Sequence, residues 1–509
     1  MNELRRKNRI FRALTAPFRG GFYSKLLLII GVLIAAPIIV SAFYPTDFRY
    51  WVSFAVPAVL LIAAGVLVSV CGKKKRAAAT TEWTAPLTRG AGPVMFAWAV
   101  AIAAGAVPFV IGGQMSVVHA LFESVSGWST TGLTVSDVES MPHIFLLHRA
   151  FMQYCGGLGF VIFIGILIEG RQLANLYNTE GHPDSMMPNV RRASLIIMRI
   201  YLASLVLGSA VYRLLGMPLF DAICHTMSAL STAGFSPRAA SIGAYNSLAI
   251  ELFTIVLMLA GASNFAVLLL LVKGKFKRTW RVTEVRVMFA VCALFIPLTA
   301  LSVCFHGGKP FFAAVREAAF GVVSIFTTTG YATTDYAMWS AFALGLVMLL
   351  MILGGSTGST AGGIKLLRAY VVIRVTKENI RKRLSPTHEV RIMRFTRPQG
   401  TAKIDAQLIT DTMEFVTAYM GILVAGTLAL ILTSGASLDD ALFEFTSALG
   451  TIGISNGLTA AANPASLVLL MFGMLLGRLE IFIVFIGIAG GLKGIRRALP
   501  KILRGKPGM

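Results

Sequence analysis

Four short stretches of this chain set threonine hydroxyls and backbone carbonyls around a single glycine. They are Thr130-Thr131-Gly132-Leu133, Thr232-Ala233-Gly234-Phe235, Thr328-Thr329-Gly330-Tyr331 and Thr451-Ile452-Gly453-Ile454. None contains a carboxylate, so what each can offer is neutral oxygen. Glycine lacks a Cβ, so it can take positive φ and let neighbouring carbonyls face one way. Rings of such carbonyls can replace a cation's hydration shell. Replacement is required, because moving a small ion into low dielectric costs on the order of 20 kcal/mol in the idealised limit. Uncharged ligands suit a weakly held, mobile monovalent ion better than calcium, which usually recruits carboxylates.

The stretches are copies of one unit. Serine stands six residues before each glycine (Ser126, Ser228, Ser324, Ser447) and alanine twelve before (Ala120, Ala222, Ala318, Ala441). A small-residue helix-packing motif would explain one copy, but not four in phase. Glu123 and Glu444 hold equivalent positions and read as structural groups more than as ion ligands.

The elements that must position these turns follow from composition. Of 509 residues, 56% are hydrophobic and only 14% charged, against about a quarter charged in a soluble protein. Apolar runs precede each copy (Val94–Ile111, Ser194–Leu215, Val287–Val303, Met413–Leu432) and follow it (Ile144–Ile168, Ser247–Val272, Trp339–Leu353, Ala465–Ile488). They approach the ~20 residues that span a bilayer. The copied segment is too short to span and reads as a re-entrant half-helix. The irregular turn after it survives at membrane depth only if protein buries it or it lines a cavity. The expectation is an all-α integral membrane protein. Four tandem helix–pore loop–helix repeats surround one pseudo-fourfold pore, with two extra N-terminal transmembrane helices. That makes about ten spans and four half-helices. The expected divisions are 1-91 (N-terminal segment and extra helices), 92-182, 183-280, 281-405 and 406-509 (repeats one to four). Val40-Ser41-Ala42 resembles a signal-peptidase site, but the preceding run is long for a signal peptide, so a retained helix is expected.

Charge sets the orientation. The net charge of +23 comes from clusters between spans: Arg5 to Arg12, Lys73 to Arg76, Lys273 to Arg286, Lys365 to Lys403 and Lys493 to Lys506. This is the positive-inside pattern. It points to cytoplasmic termini and attraction to anionic lipid, not to nucleic acid. The half-helices then enter from outside. Asp221, Glu317 and Asp440 lie toward their N-termini, and Ser437-x-x-Asp440 reads as a capping box. Their negative ends converge on the axis and favour a cation there. The five cysteines lie in or beside apolar runs and suit neither a disulfide framework nor zinc.

A second unusual stretch, Gly354-Gly355-Ser356-Thr357-Gly358-Ser359-Thr360-Ala361-Gly362-Gly363, interrupts the apolar run after the third copy and leads to Lys365. It lacks the Gly-Lys-Ser/Thr of a phosphate loop. No histidine falls in a recognisable serine-protease pattern. A plain kink is one reading; a broken helix lining a cavity is the better one. Arg478, inside the last apolar run, either marks the pathway or pairs with an acid and holds the bundle.

These residues resemble the Trk/Ktr/HKT superfamily of potassium transporters, from about Gly92 to Gly494, and the two extra helices resemble its TrkH-type branch. The resemblance implies that the four stretches form a potassium filter, residues 130–133, 232–235, 328–331 and 451–454. Gly132 favours potassium, since some sodium-preferring plant relatives carry serine there. It implies that the Gly354–Gly363 loop gates the path, with Lys365 at its end and Arg478 beneath the filter. It also implies a homodimer in the cytoplasmic (inner) membrane, resting on a cytosolic TrkA-type nucleotide-binding ring, with Lys365 to Lys403 a candidate contact for ring or lipid. The unlike residues Leu133, Phe235, Tyr331 and Ile454 break fourfold symmetry, so strict discrimination against sodium is less secure than cation passage. A potassium symporter coupled to sodium or protons is the second reading, and a membrane enzyme, lacking a constellation, the third. No nucleotide motif or organic cofactor site is visible in the chain.

Overall fold

In a computed structural model, residues 21–71, 86–159, 190–384 and 392–490 are described. The basic clusters at Arg5–Arg12, Lys73–Arg76 and Lys493–Lys506, and the end of the Ile144–Ile168 run, lie outside the described residues. The chain opens with α1 (Phe22–Ala35), continued by a 3-10 turn to Ala42, and α2 (Trp51–Cys71). These two pack antiparallel, with Gly31 and Gly65 allowing close approach: a Cβ on either would meet the facing helix. They are the two extra N-terminal helices.

Each repeat then shows the same order. A long helix leads to a short half-helix, an extended turn, and a helix that breaks. The long helices are α3 (Pro86–Ile111), α6 (Val190–Leu214), α11 (Thr283–Gly307) and α15 (Ala406–Ser434). The half-helices are α4 (Val117–Trp128), α7 (Leu219–Leu230), α12 (Phe311–Phe326) and α16 (Leu438–Gly450). Ser116 and Ser437 cap α4 and α16 by accepting from the backbone N–H groups of His119 and Asp440. Returning helices are α5 (His143–Leu158), α8 (Leu248–Gly261) with α9 (Phe265–Val272), α13 (Ala341–Ile352), and α17 (Pro464–Arg478) with α18 (Ile481–Gly490).

The second and fourth returning runs are not the continuous spans expected from sequence. The second bends by 117° between α8 and α9, and the fourth by 109° between α17 and α18. The third stops at Ile352 and passes into the glycine-rich loop, and the first reaches Gly159 at φ +79°. Hydropathy averaged over a whole run passes over these breaks, because Asn264 at the second and Arg478 and Glu480 at the fourth are few polar residues in long apolar stretches. By length and composition, six described helices can cross a membrane, or eight if each bent pair counts as one span. After the glycine-rich loop, α14 (Leu366–Leu384) runs out to a two-stranded antiparallel hairpin, β1 (Arg394–Arg397) and β2 (Gly400–Lys403). This hairpin is a small departure from the all-α expectation. Its buried Phe395 packs with Leu367 and Val371 of α14, which stabilises the pairing. Short helix α10 (Phe276–Arg281) precedes α11.

Candidate functional site

The four Thr-x-Gly turns meet in a closed ring. A Cβ on Gly132 would run into the carbonyl oxygen of Ala233, and one on Gly234 into that of Thr329. Gly330 stands in the same relation to Ile452, and Gly453 to Thr131, which closes the circle. Each glycine therefore abuts the carbonyl just before the next glycine. The glycines take φ of +97°, +81°, +76° and +89°. The first threonine of each turn is left-handed as well: Thr130 +56°, Thr232 +50°, Thr328 +56° and Thr451 +52°. That conformation costs a non-glycine residue roughly 1–2 kcal/mol, and the sequence reading did not anticipate it.

Local hydrogen bonds hold the strained turns. The second turn residue donates from its backbone N–H to the carbonyl of the aligned serine in every repeat: Thr131 to Ser126 (3.0 Å), Ala233 to Ser228 (3.0 Å), Thr329 to Ser324 (2.9 Å) and Ile452 to Ser447 (2.9 Å). The serine hydroxyls do more. Ser126 and Ser447 accept from the N–H groups of Gly132 and Gly453 at 3.0 and 3.2 Å. Ser324 donates to the Tyr331 carbonyl at 2.7 Å. In the second repeat Ser228 donates to Gln153, which also accepts from the Phe235 N–H and donates to the Ala233 carbonyl. One carbonyl at this ring is thus already engaged, a departure from fourfold symmetry.

A second tier of support sits nine residues before each glycine. Glu123 accepts from the Thr134 hydroxyl and the Val135 N–H; Glu444 accepts from Ser455, Asn456 and Thr459. His225 fills the same place in repeat two and meets the Ser236 hydroxyl at 3.0 Å. In repeat three it is Gly321, and the space is occupied by Trp339 and Tyr336. Both glutamates therefore brace the chain leaving the turn. Glu123 also pairs with the buried Arg149 at 2.6 Å, whose guanidinium lies 4.0 Å from the Phe235 ring centroid. Ser437 accepts from the Asp440 N–H at 3.3 Å, one half of a capping box, and its hydroxyl donates to the Asp440 carboxylate at 2.7 Å. Asp221 instead bonds Arg238 and Tyr245, and Glu317 bonds Lys309 and Trp339.

On one side the ring opens into a cavity of about 400 Å³, lined by all four glycines with Asp137 and Asp335 at its sides. On the other side lies the Gly354–Gly363 loop. It hangs on its own strand-like bridge, Gly354 N–H to the Ile364 carbonyl and Ile364 N–H to Ile352. Further bonds reach repeats two and four, and Glu284 and Thr328 of its own repeat. Ser356 N–H donates to Ala262, the Asn264 side chain donates to the Thr357 carbonyl, and Thr357 N–H donates to Glu284 at 2.7 Å. The loop touches the turns directly: Thr360 Oγ1 lies 2.9 Å from Thr232 Oγ1, and Gly362 N–H donates to Thr328 Oγ1 at 3.1 Å. A Cβ on Gly362 would strike Thr451. Among the described residues no hydrogen-bond partner meets the hydroxyls of Thr130 and Thr451.

Arg478 ends α17 beside the loop. It donates to the carbonyls of Gly156 (2.6 Å), Gly157 (3.2 Å) and Thr360 (3.3 Å). The next acid, Glu480, points elsewhere and pairs with Arg368 at 2.9 Å. Lys365 turns back onto the Ala361 carbonyl. The structure thus sets the Gly354–Gly363 loop against the turns through Thr360 and Gly362, with Arg478 bonded to the loop at Thr360. Sequence reasoning passed over Arg149, Gln153, Asn264 and Glu284. Arg149 and Gln153 could have been found as lone polar groups in an apolar run, a signal of an internal role in membrane helices. Asn264, in the apolar Ser247–Val272 run, offered the same signal, whereas Glu284 lay hidden in the charged Lys273–Arg286 stretch. No group of three or more His, Cys, Asp or Glu side chains suited to a metal ion occurs among the described residues.

A family model described as "TrkH: Cation transport protein" matches residues 61–490. The chain is 32% identical over 413 residues to the Trk system potassium uptake protein TrkH of Vibrio parahaemolyticus, covering 77% of this chain and 83% of that protein. It is 31% identical over 415 residues to TrkG of Escherichia coli, covering 78% and 83%. An uncharacterised cation transporter of Methanocaldococcus jannaschii is 26% identical over 467 residues, covering 91% and 93%. The crystal structure of the Vibrio parahaemolyticus potassium transporter TrkH superposes with a TM-score of 0.78 at 27% identity, covering 93% of this chain and 98% of that one.

Proposed function

Because the chain belongs to the TrkH family of cation transport proteins, we propose that it carries potassium into the cell through the ring of four Thr-x-Gly turns. The observation that carries this reading is the closed ring, with each glycine against the next repeat's carbonyl. An ion leaving water at the outer cavity trades hydration for these oxygens. The four half-helices direct their negative ends at the same point. The carbonyls of residues 130–133, 232–235, 328–331 and 451–454 are the filter. Buried carboxylates near it, Glu123 and Glu444, brace the backbone and leave coordination to neutral groups.

The loop from Gly354 to Gly363 is the gate. It lies directly under three of the four turns, so an ion cannot leave the ring without displacing it. Arg478 holds the loop by its Thr360 carbonyl and places a positive charge beside the exit. Movement of the loop away from the axis opens the path. The working unit is a homodimer in the cytoplasmic membrane with both termini inside, opened by a cytosolic nucleotide-binding ring. Potassium is cargo, and no organic cofactor enters the scheme.

The test is Gly132→Ser. The substitution adds a side chain where the Ala233 carbonyl already stands, so it distorts the ring locally. Relative uptake of potassium and sodium, measured in cells lacking other potassium systems, should shift toward sodium. Unaltered selectivity in a well-expressed variant would remove the ring from the ion path. Proteoliposome flux at imposed gradients separates a gated pore from strict symport: a pore runs on the potassium gradient alone.

A further inference from the structure

On the side of the molecule away from the outer cavity, a hollow of about 500 Å³ is lined by Lys277, Arg278, Arg281, Arg286 and Arg397, with Thr396, Gly400 and Thr401 completing the wall. No acidic side chain is among these lining residues. Five cations crowded into one hollow repel each other unless an anion enters. Arginine forks match phosphate oxygens two at a time. The geometry points to a binding site for a phosphate-bearing anion, clamped between helix α10, the start of α11 and the β1–β2 hairpin.

Position favours a phospholipid headgroup as the source. Phe276 and Trp280, in the same short helix as the cations, are largely exposed, and Trp280 packs on exposed Phe289 of the membrane-spanning α11. Aromatic side chains at this level mark the lipid interface. Basic pockets between helices on the cytoplasmic side suit anionic headgroups.

The site is tied to the loop under the ring by two short routes. Thr283, two residues past Arg281, accepts from the Thr396 N–H at 2.9 Å and so fastens the hairpin to α11. The next residue, Glu284, accepts from Thr357 N–H of the loop. From the other side, Phe395 of the hairpin packs on Leu367 and Val371 at the start of α14, just after the loop. An anion in the hollow pulls hairpin and α10 together, keeps Glu284 on Thr357, and holds the loop in place. Occupancy therefore lowers flux. This last step rests on the gate reading above; binding itself does not.

The experiment uses the full-length protein without cytosolic partner. Binding is read by native mass spectrometry with phosphatidylglycerol or phosphatidylcholine, and with inorganic phosphate as competitor. The triple variant Arg278→Gln/Arg281→Gln/Arg397→Gln should weaken phosphatidylglycerol retention on the order of a hundredfold, from about one kcal/mol per cation. Neutralising Arg381, Lys382 and Arg383 on α14 should leave retention as it was. Displacement of lipid by inorganic phosphate assigns the site to the phosphate group; inorganic phosphate binding without lipid retention assigns it to the free ion. Undiminished retention in the triple variant overturns the site. If the triple variant fails to fold, Arg397→Gln alone carries the comparison.

In phosphatidylglycerol liposomes the triple variant should conduct about fivefold faster, the worth of roughly one hydrogen bond on the loop. Deleting Ser356–Ala361 should erase that difference. Lipid loss with unchanged flux, in a protein whose deletion variant does conduct faster, overturns the coupling. If the deletion variant also conducts no faster, the gate reading fails and the binding result stands.

Discussion

The turns of the ring and the loop beneath them are built from the same residue types and held in opposite ways. Each turn is fastened within its own repeat by the aligned serine six residues back, and in repeats one, two and four the group nine back braces the chain that follows. In repeat two a side chain from another repeat, Gln153, takes over part of that work. The Gly354–Gly363 loop makes a short bridge to itself and one bond to Thr328 of its own repeat, and further bonds reach repeats two and four and the start of α11. A turn secured by its own helix keeps its shape whatever its neighbours do. A loop secured by several neighbours moves when any of them moves. Glycine and threonine therefore serve precision in one place and release in the other, and the partners decide which.

The largest expected effect breaks the precise side of that contrast. Gly330 has φ of +76°, and a Cβ there would overlap the Ile452 carbonyl. Gly330→Ala should abolish potassium uptake in complementation while leaving folded protein detectable by gel filtration. Gly345, in α13 with open space around it, is the control, and Gly345→Ala should retain uptake. Equal uptake by the two variants would mean that close approach of the turns is irrelevant to transport.

The next effect acts on release. Arg478→Ala removes both a positive charge and the donors to Gly156, Gly157 and Thr360. Flux per unit of purified protein should rise about tenfold, the effect of ~1.4 kcal/mol on a barrier. Arg478→Lys should raise it less, because charge remains while the fork is lost. A fall in melting temperature with no gain in flux would make Arg478 a clamp for the bundle and nothing more.

Two glutamates at equivalent positions sharpen the account of the braces. Glu123 faces a buried arginine, whereas Glu444 is met by hydroxyls and backbone N–H groups. Glu123→Gln leaves Arg149 buried without its countercharge, which costs about 3–5 kcal/mol. Glu444→Gln keeps most of its shape and loses about 1–3 kcal/mol. Thermal unfolding should therefore rank Glu123→Gln below Glu444→Gln. The reverse order would show that the salt bridge contributes less than the neutral bonds.

How far the sequence revealed this arrangement depends on the kind of signal. The four turns were legible because repetition makes a column of serine, threonine and glycine stand out against apolar runs. The half-helices were legible from their length and from Ser437 and Asp440. The breaks at Ala262–Asn264 and Leu479–Glu480 were not. Asn264 and Glu480 stand at them, but single polar residues in long apolar runs do not reveal bends of 117° and 109°. The left-handed threonines were hidden for a similar reason, since only the finished serine-to-turn bonds make that backbone affordable. Arg149 and Gln153 could have been noticed, and the hairpin at Arg394–Lys403 lay in a basic stretch whose charge masked its pattern. Pairings across repeats, such as Glu284 with Thr357, arise from the ring itself and from no local feature.

The smallest effect probes the contact where turn and loop meet. Thr360 Oγ1 stands 2.9 Å from Thr232 Oγ1, 3.0 Å from the Gly261 carbonyl and 3.3 Å from the Leu230 carbonyl. A hydroxyl has one proton, so it serves one of these acceptors at a time. Thr232 Oγ1 already donates to the Ser231 carbonyl at 2.8 Å. The Thr360 proton therefore goes to Thr232 or to Gly261, and either choice ties the loop to repeat two. Thr360→Val keeps the volume and removes the proton, at a cost of about 1 kcal/mol for the closed position. Thr360→Ser keeps the proton and loses a methyl group. Flux in partner-free proteoliposomes should rise about fivefold in the valine variant and little in the serine variant. Selectivity between potassium and sodium should stay the same in both, because the turns keep their own bonds. A change of selectivity in Thr360→Val would show that loop and turn are one mechanical unit, and the contrast between precise and releasable halves would fall.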